Sequence, residues 1–383
     1  MGKLKFGVIG AAGGQGGGWA QKINDWGKSE VFDIELSAVC DINKGGIEKK
    51  AKELCCKAYT DYKQMYNEEK LDAVVIATPH YLHAPMAIDA AEQDMHILVE
   101  KPMCITLKQA DDMRKAVRKN GVMLAVGLQH RFDPSKIALK TAISSGDLGN
   151  IFQINGFFRD WRTEMYYETS TQVSDPNSGK KHGWRGHWST EGGGSLANQE
   201  IHFLDSFQWI ASSPIRSVQA ISRVAKHTFP ETDDNTNAIL EFDNGAMGLL
   251  QAGVSYEYGE ENEIGVYGTN GALITRKDMR DKAGNNLPLL DFRNEELKKK
   301  KPLHSYIPSI LNGSMQMFAA FLEAIEEDDE SLISVNVEEG RKSVELTRAI
   351  FLSVIMEKKI TFPVHDPGIF PSLAHVYKDP MFP

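Results

Sequence analysis

The 383-residue sequence predicts two fold classes in tandem. The first is an α/β domain with a doubly wound parallel sheet. The second is an α+β domain built on a large, mostly antiparallel open sheet. Three observations carry this reading. Short, flat apolar runs alternate with helix-sized intervals in the first third, as strands covered on both faces require. After about residue 128, longer segments alternate apolar with polar residues, the mark of strands with one open face. A dense glycine cluster lies between the first apolar run and the first helical interval.

The apolar runs are Lys5–Ile9, Glu35–Cys40, Leu71–Ala77, His96–Val99 and Val122–Val126. Helical patterns cover Ala84–Asp94 and Lys108–Lys119, the latter stopped by Asn120-Gly121. This βαβ series implies right-handed crossovers. Beyond it, strand patterns cover Ile151–Phe158, Ile215–Val224, Thr236–Phe242, Ala246–Ser255 and Glu263–Gly268, with Asn244-Gly245 as a hairpin signal. Helical patterns cover Ile201–Ala211, Met315–Glu327 and Val337–Lys358.

With 43 Lys plus Arg against 52 Asp plus Glu, the net charge is −9. Such a chain repels phosphate backbones unless a local basic patch intervenes, and the only basic run, Lys298–Lys301, reads as a solvated loop. No nucleic-acid partner is expected. No run of about 18 apolar residues suggests a membrane span, and the N-terminus has no secretory pattern. Four cysteines, two of them the adjacent Cys55 and Cys56, make neither a disulfide framework nor a zinc site. The expectation is a soluble cytoplasmic protein without a metal.

The glycine cluster runs Gly10-Ala11-Ala12-Gly13-Gly14-Gln15-Gly16-Gly17-Gly18. Following a strand and opening a helix, it suits a dinucleotide: glycines give a tight turn and let backbone approach a pyrophosphate at a helix N-terminus. Its spacing is one residue longer than the common G-x-G-x-x-G. Asp41, ending the second strand, is placed to accept both adenosine ribose hydroxyls. A carboxylate there repels a 2′-phosphate, and Ile42-Asn43 supply no arginine, so NAD is expected in preference to NADP. Residues 1–128 are read as an NAD-binding Rossmann domain and 129–383 as the substrate-binding and oligomerisation domain.

Two further motifs narrow the reading. One is Ala77-Thr78-Pro79-His80-Tyr81-Leu82-His83, followed after a helix by Glu100-Lys101-Pro102. The other is Trp184-Arg185-Gly186-His187-Trp188, then Gly192-Gly193-Gly194-Ser195-Leu196-Ala197-Asn198 and His202. With Tyr267-Gly-Thr-Asn-Gly271 and Thr361-Phe-Pro363, they make the whole chain resemble the glucose–fructose oxidoreductase / inositol dehydrogenase / MocA family. That resemblance implies a nicotinamide-dependent dehydrogenase or reductase acting on a secondary alcohol or ketone carbon of a sugar, inositol or sugar derivative. It implies that Lys101 hydrogen-bonds the reacting oxygen, that Glu100 reaches the cofactor or orients Lys101, and that Thr78, Pro79 and His83 shape the cofactor cleft.

Hydride transfer from an alcohol also needs a base for the hydroxyl proton. His202 and Asn198, four apart, are expected on one helix face, behind a glycine triplet that lets the helix approach a substrate closely. Many relatives carry Asp where Asn198 stands; asparagine orients a hydroxyl but takes no proton, so the proton load falls on His202 and Lys101, with Asp205 as a partner for His202. Trp184, Arg185, Trp188 and Tyr166 are candidate substrate contacts, since aromatic rings stack on sugar faces and an arginine fork binds hydroxyls or anions. Trp161, Arg162, Glu164, Tyr167 and His80 are secondary candidates. An NAD-dependent glycosidase working through transient oxidation and elimination, and a non-catalytic nucleotide sensor, are the competing readings. A homodimer or homotetramer through the second sheet is the expected assembly.

Overall fold

The computed structural model describes residues 2–174, 181–227, 231–258, 261–280, 286–292, 313–366, 368 and 370. The Lys298–Lys301 run lies outside them. The chain divides into two compact units: Met1–Cys104 with Lys108–Gly127 and Phe318–Arg341, and Ile105–Leu107 with Leu128–Met317 and Lys342–Pro383.

In the first unit, six parallel strands form one sheet: β1 (Leu4–Ile9), β2 (Ile34–Cys40), β3 (Lys57–Tyr59), β4 (Ala73–Ile76), β5 (His96–Val99) and β6 (Leu124–Val126). Their order is β3-β2-β1-β4-β5-β6, so strand order reverses between β1 and β4. All four residues of β4 and all three of β6 are buried, which explains why these strands read as continuous apolar runs. Helices α1 (Gly14–Lys28), α2 (Lys44–Leu54), α3 (Tyr62–Glu68), α4 (His83–Ala91) and α5 (Leu107–Asn120) fill the connections.

The segment Phe318–Arg341 was expected with residues 129–383 but packs in the first unit. Phe318 inserts its ring among Phe6, Trp19, Trp26 and Phe32, with centroids 5.4, 6.1, 5.1 and 5.6 Å away. Val335 O accepts from Val126 N at 2.9 Å, and Arg341 Nε donates to Asp111 at 2.8 Å. Hydrophobic periodicity reveals the apolar face of this segment but not the surface that receives it.

The second unit is built on an eight-stranded sheet in the order β15-β14-β13-β7-β12-β11-β10-β16. Its strands are β7 (Ile151–Arg159), β10 (Ile215–Arg223), β11 (Asn235–Phe242), β12 (Met247–Gly253), β13 (Glu261–Gly268), β14 (Gly271–Arg280), β15 (Asn286–Phe292) and β16 (Ile360–Thr361). Every neighbouring pair is antiparallel except β7 with β12, which is parallel. A separate small ribbon pairs β8 (Gln172–Ser174) with β9 (Lys181–Gly183). Asn244-Gly245 does turn β11 into β12, with Gly245 at φ +86°.

One sheet face is core, with Phe158, Leu240, Phe242 and Leu250 buried. The helices of this unit include α6 (Pro134–Ser144), α7 (Glu164–Glu168), α8 (Ser195–Asn198) and α9 (Ile201–Ala211). Helix α9 lies close on the core face: a Cβ on Gly156 or Gly248 would come within 3.0 or 3.3 Å of Phe207. The other face exposes Ile221, Ile239, Met247 and Leu249. Among the described residues two further helices follow, α10 (Gly313–Glu327) and α11 (Val337–Met356).

Candidate active site

The candidate cofactor residues of the first unit gather at the carboxyl ends of β1, β2, β4 and β5, the edge where open parallel sheets bind ligands. Gly10 turns there at φ +82°, and a Cβ on it would sit 2.3 Å from Ala77 O. A Cβ on Gly16 would sit 2.2 Å from Gly10 O. Gly16 therefore lets α1 lie against the first strand despite the longer loop. Gly13 and Gly14, at the start of α1, have no protein atom within 4 Å of an added Cβ, and Gln15 beside them is exposed. Asp41 closes the loop: its Oδ2 accepts from Ala12 N at 3.1 Å and its Oδ1 from Asn43 N at 2.9 Å. Ile42 next to it is 77 % exposed.

The β5 end is braced from two sides. Glu100 Oε1 accepts from the Trp19 indole at 2.7 Å, while its Oε2 takes the Lys101 N–H at 3.3 Å. The Lys101–Pro102 peptide bond is cis. His83 is fully buried and holds its two ring nitrogens 2.8 Å from Thr78 O and 2.8 Å from Pro102 O. Burial lowers its pKa, partly offset by those two carbonyls. His83 thus ties the Thr78-Pro79 turn to the carbonyl of Pro102, one residue past Lys101, and shapes this edge from behind. His80 is also buried, with its ring 5.7 Å from that of His83.

In the second unit the expected helix breaks. Asn198 ends α8 and His202 lies in the first turn of α9, with a turn at Gln199-Glu200 between, so the two stand on separate helices. His202 stacks on His130, ring centroids 4.4 Å apart and 26° from parallel. Asp205 is not its partner. It is fully buried and accepts from Arg131 Nε at 2.8 Å and Nη2 at 2.7 Å, and from Ser343 Oγ at 2.7 Å. A two-pronged bond from a permanent cation outcompetes an imidazole for that carboxylate.

The glycine triplet serves packing. Asp233 caps α8, accepting from Gly194 N at 3.0 Å and Ser195 Oγ at 2.8 Å, and a Cβ on Gly194 would fall 2.0 Å from Asp233 O. Trp188, expected against the substrate, is instead core. It is 3 % exposed, edge-on to Phe351 and Phe370, with its indole N–H donated to Glu231 O at 3.0 Å. Arg185 lies over two rings, 4.1 Å from the Tyr166 centroid and 5.0 Å from that of Trp184. The Tyr166 hydroxyl accepts from Asn198 Nδ2 at 2.9 Å and Gln199 Nε2 at 2.7 Å.

Two residues that the sequence reading missed hold this cluster. Glu191 Oε1 accepts from Asn198 Nδ2 at 2.5 Å and its Oε2 from Gly186 N at 2.6 Å. Burial pushes its carboxyl up to about 8 against the opposing pull of those bonds and of Arg185. Gln199 accepts from Arg162 at 2.9 Å. Glu191 stands immediately before the glycine triplet, a position whose only signal was a carboxylate inside an otherwise apolar and small stretch.

Residues 4–128 match the family model described as an oxidoreductase family with an NAD-binding Rossmann fold, and residues 137–274 match the GFO/IDH/MocA C-terminal domain. The scyllo-inositol 2-dehydrogenase (NAD(+)) of Bacillus subtilis (strain 168) is 30% identical over 64% of this chain and 67% of its own. The chain belongs to the Gfo/Idh/MocA family. YrbE, an uncharacterized oxidoreductase of the same organism, is 26% identical over 91% of this chain and 93% of its own. Among solved structures, the WlbA dehydrogenase of Bordetella pertussis, in complex with NADH and UDP-GlcNAcA, superposes with a TM-score of 0.81. It is 25% identical and covers 95% of this chain and 99% of its own.

As a Gfo/Idh/MocA member the protein is an NAD-binding oxidoreductase acting on CH–OH groups. Its residues suit that cofactor: the open backbone at Gly13 and Gly14 begins a helix, and the loop is tied to a strand-end carboxylate. Among the described residues no group of three or more His, Cys, Asp or Glu could hold a metal, and no helix is long and apolar enough to cross a membrane.

Proposed function

We propose that this oxidoreductase moves a hydride between NAD and a secondary alcohol or ketone carbon of a sugar, inositol or sugar derivative, with Lys101 as the group that hydrogen-bonds the reacting oxygen. The observation that carries this reading is the bracing of Lys101. Its N–H is held by Glu100, itself held by Trp19, and the Pro102 carbonyl that follows is held by His83, at the same sheet edge as the glycine loop. A lysine on a loop without a chemical task needs no such support. When bound, NAD accepts the hydride leaving the carbon. The hydroxyl proton passes to His202 as base, so one alcohol yields one carbonyl, one reduced nicotinamide and one proton.

Ala12, Gly13, Gly14, Gln15, Asp41, Ile42, Thr78 and Pro79 are assigned to the cofactor. Asn198, Tyr166, Arg185 and Trp184 are assigned to the hydroxyls and ring faces of the substrate. The relatives named above are dehydrogenases and oxidoreductases, which favours net redox chemistry over the glycosidase and sensor readings. A cytoplasmic location is part of the proposal. So is a homodimer or homotetramer covering the apolar side chains on the open face of the second sheet, to be checked by light scattering.

The test is a panel of inositols, aldoses and uronic acids with NAD, followed at 340 nm. At least one polyol reduces NAD stoichiometrically. A panel without reduction, together with release of aglycone from aryl glycosides, would replace this reading with the glycosidase.

A further inference from the structure

Two hydrogen-bond relays converge on the Tyr166 oxygen, and the one through Gln199 has a fixed direction. Arg162 has only donors, so Gln199 must present its Oε1 to it and its Nε2 to Tyr166. One acceptor site of the phenol is thereby committed. On the other side, Asn198 Nδ2 donates both to Glu191 Oε1 and to Tyr166. With both acceptor sites of the phenol filled, its own hydrogen must go elsewhere. Among the described residues no acceptor takes it.

We infer that Glu191 is a positioning residue that sets the hydrogen-bond polarity of this subsite. Ionised, it keeps the Asn198 amide turned NH2-first, so that Tyr166 donates its hydrogen to an acceptor oxygen of the substrate. Protonated, it releases that constraint. Gly186 N occupies Oε2, so the added proton sits on Oε1, facing Asn198. Asn198 then turns over, and its Oδ1 accepts from both Glu191 and Tyr166. The phenol is left offering a lone pair. One proton converts the subsite from donor to acceptor.

The charged and titratable groups facing Glu191 are Arg185, Asp233, Tyr166 and Tyr167. Arg185 favours the carboxylate, Asp233 and burial oppose it, and the balance falls at about 8. Both states are therefore reached in ordinary buffers. Burial holds the Tyr166 phenol up at about 12, so the phenol does not ionise in the same range.

The inference rests on the reading that Tyr166 and Asn198 meet the substrate, but its core is testable without one. The protein is labelled with 15N-asparagine, the Asn198 side-chain signals are assigned by their loss in Asn198→Ala, and the sample is titrated from pH 6 to 10. The Asn198 NH2 pair shifts with a single midpoint near pH 8, and Glu191→Gln abolishes the shift. An unmoving pair in the native chain, or the same titration in Glu191→Gln, overturns the inference. With the polyol oxidised fastest in the panel, Tyr166→Phe raises KM about tenfold at pH 9, the size of one lost hydrogen bond, and changes kcat much less. If no polyol is oxidised, the functional reading falls while the amide titration still decides this one.

Discussion

Alanine substitutions along the glycine loop separate what the fold requires from what the cofactor requires. At Gly10 an alanine meets φ +82° and places its Cβ 2.3 Å from Ala77 O. The left-handed backbone costs about 1–2 kcal/mol, and pushing back the end of β4 costs about 1–3 kcal/mol more. At Gly16 the Cβ falls 2.2 Å from Gly10 O, so the second cost applies without the first. At Gly13 the backbone is extended, at φ −171°, and nothing lies within 4 Å. Alanine there leaves stability within about 0.5 kcal/mol, or raises it slightly by restricting the unfolded chain.

The cofactor responds in a different order. If the pyrophosphate passes over the start of α1, the Gly13→Ala methyl group obstructs it, and NAD affinity falls at least tenfold, about 1.4 kcal/mol. Melting curves with and without NAD, plus calorimetric titration of NADH, measure both quantities. Gly10→Ala lowers the melting temperature by roughly 5–15 °C, whereas Gly13→Ala leaves it unmoved and weakens binding. A Gly13→Ala protein that binds NADH like the native chain would refute the assignment of this backbone to the cofactor. An unshifted Gly10→Ala melting curve would refute the steric argument.

Three further outcomes are expected. Lys101→Ala lowers kcat by about 10²–10⁴ while NADH affinity in calorimetry changes little; retained turnover removes Lys101 from the proton path. Trp19→Phe keeps the aromatic packing around Phe318 but takes away the donor to Glu100, and costs about 1–3 kcal/mol for the stranded carboxylate. Urea unfolding reads that loss, and an unchanged midpoint would show that Glu100 finds another donor. For the buried His227–Asp234 pair, burial opposes both charges most strongly, but the mutual bond at 2.8 Å together with the Arg162 carbonyl on His227 and the backbone N–H donors of Ala225, Lys226 and His227 on Asp234 outweighs it, raising His227 and lowering Asp234. Its contribution is full between the ordinary Asp and His values, about pH 4 to 6.5. It fades as pH rises through the elevated His227 value, and again as pH falls through the depressed Asp234 value. His227→Gln therefore lowers unfolding stability most near pH 5–6. A loss that does not vary with pH would mean that the pair is not ionised.

Much of the first unit was legible because its signals are local. Strands buried on both faces leave apolar runs of fitting length, and the glycine loop and Asp41 stand where strands end. The short β3, Lys57–Tyr59, escaped because three residues carry no readable period. In the second unit, β14 and β15 and the ribbon β8–β9 were missed, and Trp188 was misplaced. A tryptophan in a glycine-rich loop looks the same in sequence whether it faces solvent or, as here, Phe351 and Phe370. The four-residue spacing of Asn198 and His202 predicted one helix, but Asp233 anchors α8 as a separate turn.

The sequence by itself determined the class of each unit, the dinucleotide loop, the family and the identity of most residues proposed for the chemistry. These depend on periodicity, backbone permissiveness and residue type, all of which act over a few positions. The tertiary structure alone decided which polar groups share a bond: Trp19 with Glu100, Arg131 with Asp205, and Arg162, Gln199, Tyr166, Asn198 and Glu191 in one chain of donors and acceptors. A hydrogen bond is set by distance and direction across segments far apart in sequence, and a side chain's choice among possible partners exists only once the core has brought them together.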